Sequence, residues 1–212
     1  MSIRLALRSV ESLPDDLAPL IDSLPFGQGE AARLDAIANP AVRAQSLTAL
    51  LALHSLCGDL SADLTILRDA HGKPRFADPT LPAFSLSHSA GLAAAVLGEN
   101  TDGIGVDLEF IRPHTDKQKI AARFFTQNER DCLMADTYAD DTFLLLWTRK
   151  EAAAKMNGCG LLSTLRDEHA SVFFRSYSVT KDGRIGLLTI AAPHEFSMDI
   201  SEFSELLKEV FP

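Results

Sequence analysis

Residues 103–111 alternate apolar and acidic side chains with a strict period of two, a pattern that a β-strand satisfies and a helix does not. On such a strand Ile104, Val106, Leu108 and Phe110 share one face, and Gly105, Asp107, Glu109 and Ile111 share the other. Same-face neighbours stand roughly 6 to 7 Å apart. Asp107 and Glu109 therefore hold two negative charges side by side, which repel unless a cation lies between them or one carboxyl keeps its proton. This arrangement suits a hard metal ion. The plainer alternative is the solvent-facing acidic edge of an antiparallel sheet.

The rest of the chain limits what such a strand can serve. Its 212 residues, 46% hydrophobic, suffice for one large domain or two small ones with their own cores. A formal charge of -9 argues against a general nucleic-acid or anionic-membrane binder, so any acidic partner has to meet a local basic patch. Cys57, Cys132 and Cys159 are too few and too scattered for a disulfide framework or a zinc site. The first residues lack the apolar core of a leader, and no run approaches the ~18 apolar residues of a membrane span. The expectation is a soluble, cytoplasmic protein.

Alternation predicts strands at residues 3–8, 64–67, 83–87, 92–97, 171–179 and 184–191. Helical spacing predicts helices at about 14–22, 30–38, 40–56, 117–123, 127–134 and from 140 or 141 to 156. Phe203, Leu206, Leu207, Val210 and Phe211, with Ser201 as N-cap, predict an amphipathic helix over 201–211. Residues 1–100 and 101–212 each combine helices with an antiparallel sheet, so the fold class is α+β, divided into two halves.

A second stretch carries chemistry. Trp147, Glu151 and Lys155 recur every four residues on the longest predicted helix of the second half and form one stripe. Glu151 and Lys155 alone would be an ordinary surface pair, worth a few tenths of a kcal/mol. Trp147 on the same stripe argues for the edge of a site. With Glu151 facing Asp107 and Glu109, three carboxylates converge. Oxygen ligands select Mg²⁺ or Mn²⁺, and Mg²⁺ completes its shell with water and phosphate oxygens, so phosphoryl chemistry is the leading class.

Together these residues resemble the 4′-phosphopantetheinyl transferases. Gly105, Val106, Asp107, Leu108 and Glu109 match G-[IV]-D-x-E, and Trp147, Lys150, Glu151, Ala152 and Lys155 match W-x-x-K-E-[AS]-x-x-K. Gly158, Cys159, Gly160 and Leu161 are similar to that family's G-x-G-L, Gly72, Lys73 and Pro74 to G-K-P, and Ser87, His88 and Ser89 to S-H-S. The five motifs stand in family order across residues 72–161. Length resembles the larger, Sfp-type members: monomers built as a pseudo-dimer of two similar subdomains with the active site in the cleft between them.

The resemblance implies a transfer of 4′-phosphopantetheine from coenzyme A to a serine of an apo acyl or peptidyl carrier protein, with release of 3′,5′-ADP. It implies Mg²⁺ on Asp107, Glu109 and Glu151, with Glu151 and Lys155 as the catalytic pair. Coenzyme A would meet Lys73, Ser87, His88 and Lys150, with Arg43, or else Arg33, on its 3′-phosphate. Residues 1–100 would contact coenzyme A, and residues 101–212 would carry the metal and catalytic groups. The carrier would dock on residues 117–125, through Lys117, Lys119 and Arg123 with Ile120, Phe124 and Phe125. Two alternatives use the same acids: a non-catalytic coenzyme A or carrier-binding subunit, and another Mg²⁺-dependent phosphotransferase. The latter lacks the Walker G-x-x-x-x-G-K-[ST].

Overall fold

Two four-stranded sheets lie with one edge of each against the other, and the alternating acidic strand forms one of those edges. The computed structural model describes residues 1–58, 60, 62–101, 103–112, 114–158, 172–202 and 207–211. The first sheet has the order β4-β5-β1-β9, from β1 (Ser2–Ser9), β4 (Ala83–Ser89), β5 (Leu92–Gly98) and β9 (Ser197–Glu202). The second has the order β10-β7-β8-β6, from β6 (Gly105–Phe110), β7 (Phe173–Lys181), β8 (Arg184–Ala192) and β10 (Leu207–Phe211). A two-stranded hairpin, β2 (Ile66–Arg68) with β3 (Pro74–Phe76), stands apart. The architecture is α+β.

Each sheet carries one long helix. In α3 (Pro40–Leu56), Leu47, Leu50 and Leu53 pack on Ala6, Phe84, Ala95 and Leu97 of the first sheet. In α6 (Asp140–Asn157), Ala152 and Met156 pack on Ala191 of the second. The other faces of the two sheets share a core, in which Leu5, Leu7 and Val96 meet Val106, Leu108 and Ile190. The even-numbered face of β6 is thus apolar because it is the face turned to that core.

The helices obey their local signals. Asn39 caps α3 by accepting hydrogen bonds from the Ala41 and Val42 N–H groups, and Pro40 occupies the first turn, where its missing N–H costs nothing. Thr126 and Glu129 close a capping box on α5 (Gln127–Ala135). Three shorter helices, α1 (Ala18–Ser23), α2 (Gln28–Asp35) and α4 (Lys117–Phe124), complete the set. Helix α1 starts later than predicted, with the Asp16 carboxylate accepting from the Ala18 N–H.

One prediction fails. Residues 201–211 are not a helix: the described part belongs to β9, parallel to β1, and to β10, antiparallel to β7. Local apolar spacing is a weak signal, and here the backbone groups that β1 and β7 offer at their edges prevail. Residues 203–206 lie outside the described set. Strand β9 also takes a segment from beyond residue 101 into the first sheet.

Candidate active site

Helix α6 reaches β6 because the strand begins with glycine. A Cβ on Gly105 would stand 1.9 Å from the Ala152 carbonyl oxygen, so only glycine admits the helix backbone at this distance. Gly158, in the left-handed conformation at φ 67°, ends the helix. This seating brings the i, i+4 stripe Trp147, Glu151 and Lys155 beside Asp107 and Glu109, and all five line one cleft of about 530 Å³.

The acids of this wall are unequally satisfied. The Lys155 ammonium donates to Asp107 Oδ1 at 2.8 Å and to Ser87 Oγ at 2.9 Å. Asp107 Oδ2 is buried and has no hydrogen-bond partner among the described residues. Burial, then the charge of Asp107 and, more weakly, that of Glu109 push the Glu151 carboxyl up to about 7, against the opposing pull of Lys155.

A row of serines joins the two sheet edges. Ser85 Oγ and Ser87 Oγ accept the Val106 and Leu108 N–H groups, each at 3.1 Å, and Ser89 Oγ donates to Glu109 Oε1 at 2.8 Å. Ser87 Oγ also donates to Asp107 Oδ1 at 3.1 Å. Two bonds accepted and one donated use the full capacity of that hydroxyl. Ser87 therefore lines the cleft as a fixed joint between Asp107, Lys155 and the β6 backbone. The period-two serines at 85, 87 and 89 were the available signal for this seam, and only the last two belong to a family motif.

Another part of the lining is basic. Arg33 of α2, Arg68 of β2, His71 and Lys73 of the 69–74 turn, and His88 of β4 line it. Asp69 shapes the turn by accepting the His71 and Lys73 N–H groups at 2.8 and 2.9 Å. Lys73 Nζ donates to the Met156 carbonyl at 2.6 Å, tying the turn to the last turn of α6. The enclosing walls, then the positive charges of Lys155 and Arg33, hold the His88 imidazole below its usual range. Arg68 and His71 were not picked out from sequence, although Arg68, His71, Lys73 and Arg75 form a run of basic residues around one turn.

Two expected contacts are corrected by position. Arg43 does not line the cleft: it pairs with Asp35, and the anticipated alternative, Arg33, lines it instead. Lys150 is 3% exposed, pairs with Glu129 at 2.9 Å and lies 5.9 Å from the centre of the Phe125 ring, off the cleft. Trp147 lies parallel to the Phe143 ring and meets Phe124 edge-on, as a packing residue would. In the expected docking segment Phe125 is buried and Lys117 is bonded to Asp140, while Lys119 and Arg123 are exposed. Cys159, Gly160 and Leu161 lie outside the described residues.

Part of the chain is similar to known proteins. The profile of the 4′-phosphopantetheinyl transferase superfamily matches residues 103–197, which hold both the acidic strand and the Trp147 stripe. Over that span the chain is similar to this superfamily. Among its relatives, 4′-phosphopantetheinyl transferase HetI of Nostoc sp. (strain PCC 7120) is 39% identical over 99 residues, 44% of this chain and 41% of that protein. 4′-Phosphopantetheinyl transferase ffp of Bacillus subtilis is 29% identical over 162 residues, 68% of this chain and 70% of that protein. 4′-Phosphopantetheinyl transferase Sfp of Bacillus subtilis (strain 168) is 28% identical over 167 residues, 69% and 72% of the two lengths.

Asp107, Glu109 and Glu151 are the acids that a cation in this cleft would meet. Among the described residues, no group of three or more His, Cys, Asp or Glu side chains forms a metal cage by itself. Mg²⁺ does not require one, since it is commonly held by one or two carboxylates, with water and phosphate oxygens completing the shell. The Asp107 Oδ2, without a hydrogen-bond partner among the described residues, and the Glu151 carboxyl, raised by burial and by its acidic neighbours, are oxygens that a cation would suit. The residues fit.

Proposed function

We propose that this chain transfers 4′-phosphopantetheine from coenzyme A to a serine hydroxyl of an apo acyl or peptidyl carrier protein and releases 3′,5′-ADP. The observation that carries the reading is one cleft with an under-compensated acidic wall, from β6 and α6, and a basic wall, from α2, the 69–74 turn and β4. A ligand with a pyrophosphate and a separate phosphate meets both demands at once.

Asp107, Glu109 and Glu151 would hold Mg²⁺, or Mn²⁺, directly or through water, and when bound it would offset the pyrophosphate charge and the charge developing at the attacked phosphorus. Glu151, with its carboxyl near 7, is poised to take the proton of the carrier serine at neutral pH. The serine oxygen bonds to the phosphorus next to the pantetheine, and the bond to the bridging oxygen breaks. Lys155, beside Asp107, meets the negative charge that leaves with 3′,5′-ADP. Arg33, Lys73 and His88 receive the phosphates of coenzyme A, while Ser87 keeps Asp107 and Lys155 in register.

The same reading takes residues 1–100 for most contacts with coenzyme A and residues 101–212 for metal and chemistry, in a monomer acting in the cytoplasm. No helix among the described residues is long and apolar enough to cross a membrane. Lys119 and Arg123, both exposed, are the charges offered to an acidic carrier.

The test is to incubate the chain with coenzyme A, Mg²⁺ and a panel of apo carriers and to weigh the carriers by mass spectrometry. The expected result is a gain of one phosphopantetheine group. Binding of coenzyme A and carrier without any gain would identify a binding subunit. Phosphate or pyrophosphate release without carrier modification would identify a different phosphotransferase.

A further inference from the structure

Beneath the basic wall lies a carboxylate that the proposed chemistry does not use. Glu30 of α2 is 3% exposed. It accepts from Arg33 Nε at 2.8 Å and from Arg68 Nε and Nη2 at 2.7 and 3.0 Å. Arg68 Nη1 donates in turn to the Gly72 carbonyl at 3.0 Å, so the same acid anchors the turn that carries His71 and Lys73. Burial alone would raise the Glu30 carboxyl, but the Arg68 and Arg33 hydrogen bonds and charges outweigh it and keep the group below its usual range. It stays ionised.

A negative charge beneath an anion-binding wall is an electrostatic handicap unless it does something else. An unrestrained arginine has many rotamers and loses them when it grips a ligand. Here two guanidiniums are fixed beforehand by one acid. Arg33 commits only its Nε in the contacts described, which leaves the end of its fork on the cleft side. The group of Glu30, Arg33 and Arg68 keeps a net positive charge.

We propose that Glu30 is a positioning residue for the phosphate remote from the reacting pyrophosphate, holding Arg33, Arg68 and the 69–74 turn in the geometry that grips it. The proposal rests on the coenzyme A reading above. It makes a prediction opposite in sign to simple electrostatics: removing this negative charge weakens anion binding.

The test is calorimetric titration of the full chain with coenzyme A and with dephospho-coenzyme A, which lacks only the 3′-phosphate. In Glu30→Gln, affinity for coenzyme A should fall roughly tenfold, the scale set by losing a charged hydrogen-bonded contact, with dephospho-coenzyme A unchanged within about twofold. Glu30→Asp keeps the charge but shortens the reach by one methylene, so it should show the same contrast at about threefold. It also carries the test if the Gln variant fails to fold.

Equal losses for both ligands, with a lower melting temperature, would mean a merely structural acid. Wild-type or tighter binding of coenzyme A by either variant would also overturn the assignment, leaving the coenzyme A reading intact. A wild-type protein that binds neither ligand would overturn that reading and this proposal together.

Discussion

Around one cleft, Glu30 receives three arginine hydrogen bonds, while one oxygen of Asp107 receives none among the described residues. Both carboxylates are buried, and the difference lies in what surrounds them. On the basic wall Glu30 fixes two arginines in place before any ligand arrives and leaves a net positive charge. The acidic wall has more negative charge than Lys155 can offset, and part of the excess appears as a Glu151 carboxyl near 7. Binding geometry is thus built in advance on one side, and an unmet demand for positive charge is kept on the other. This is the kind of local compromise that functional sites retain.

The largest effect should come from removing the source of the imbalance on the acidic side. Asp107→Ala removes the carboxylate that ties Ser87 and Lys155 together, and transfer to a carrier should fall about 100-fold or more, with unchanged far-ultraviolet circular dichroism. An Asp107 variant as active as the wild type at limiting Mg²⁺ would remove the metal assignment.

The second effect reads the imbalance as stability. The Glu151 carboxyl is raised in the folded state from 4.5 to about 7, so the folded chain binds the extra proton. A metal-free protein therefore loses stability as pH rises through the window from about 4.5 to 7, and the penalty is complete above it. Glu151→Gln should relieve about 2 kcal/mol at pH 8 and little at pH 5. Thermal unfolding in chelator at both pH values measures this, and added Mg²⁺ should shrink the difference.

On the basic wall the effects are smaller and concern binding. His88→Ala should raise the KM for coenzyme A about tenfold while changing kcat at saturation less than about twofold, as for a contact remote from the reacting phosphorus. Because its surroundings hold His88 largely neutral, coenzyme A affinity should rise as pH falls and the imidazole gains its proton. An equal loss for dephospho-coenzyme A would place His88 on another phosphate. Arg43→Ala should have the smallest effect, with both KM values within about twofold of wild type, because its partner is Asp35 outside the cleft.

Much of this was readable from periodicity because burial repeats with the geometry of each element. The span Pro40–Leu56 follows from Asn39 and Pro40 at one end and Cys57 and Gly58 at the other. Trp147, Glu151 and Lys155 stand four residues apart and do share the cleft. The same rule places Lys150 one residue, or about 100°, off that stripe, which is why it turns to Glu129 although its motif suggests phosphate. Other features had no local signal. Glu30 and Arg68 are 38 residues apart in sequence and meet only through the fold. Ser85 looks like the polar face of an exposed strand, yet its hydroxyl stands in for a backbone partner at a buried sheet edge. The error at 201–211 has the same origin, since the pairing partners that decide it lie far away in sequence.

The parallel pairing of β1 with β9 has a consequence for how the chain comes to be folded. Ser2 pairs with Ser197 and Leu5 with Ile200, so a ribosome makes β1 about 195 residues before its neighbour on that side. Until β9 is made one edge of β1 stays open, with its N–H and C=O groups free to recruit a strand of another chain. Contacts this distant also close late and slow the search for the native topology. The first sheet is thus finished only once residues 197–202 have been made, and a nascent chain stopped before β9 would be a candidate for aggregation and chaperone capture.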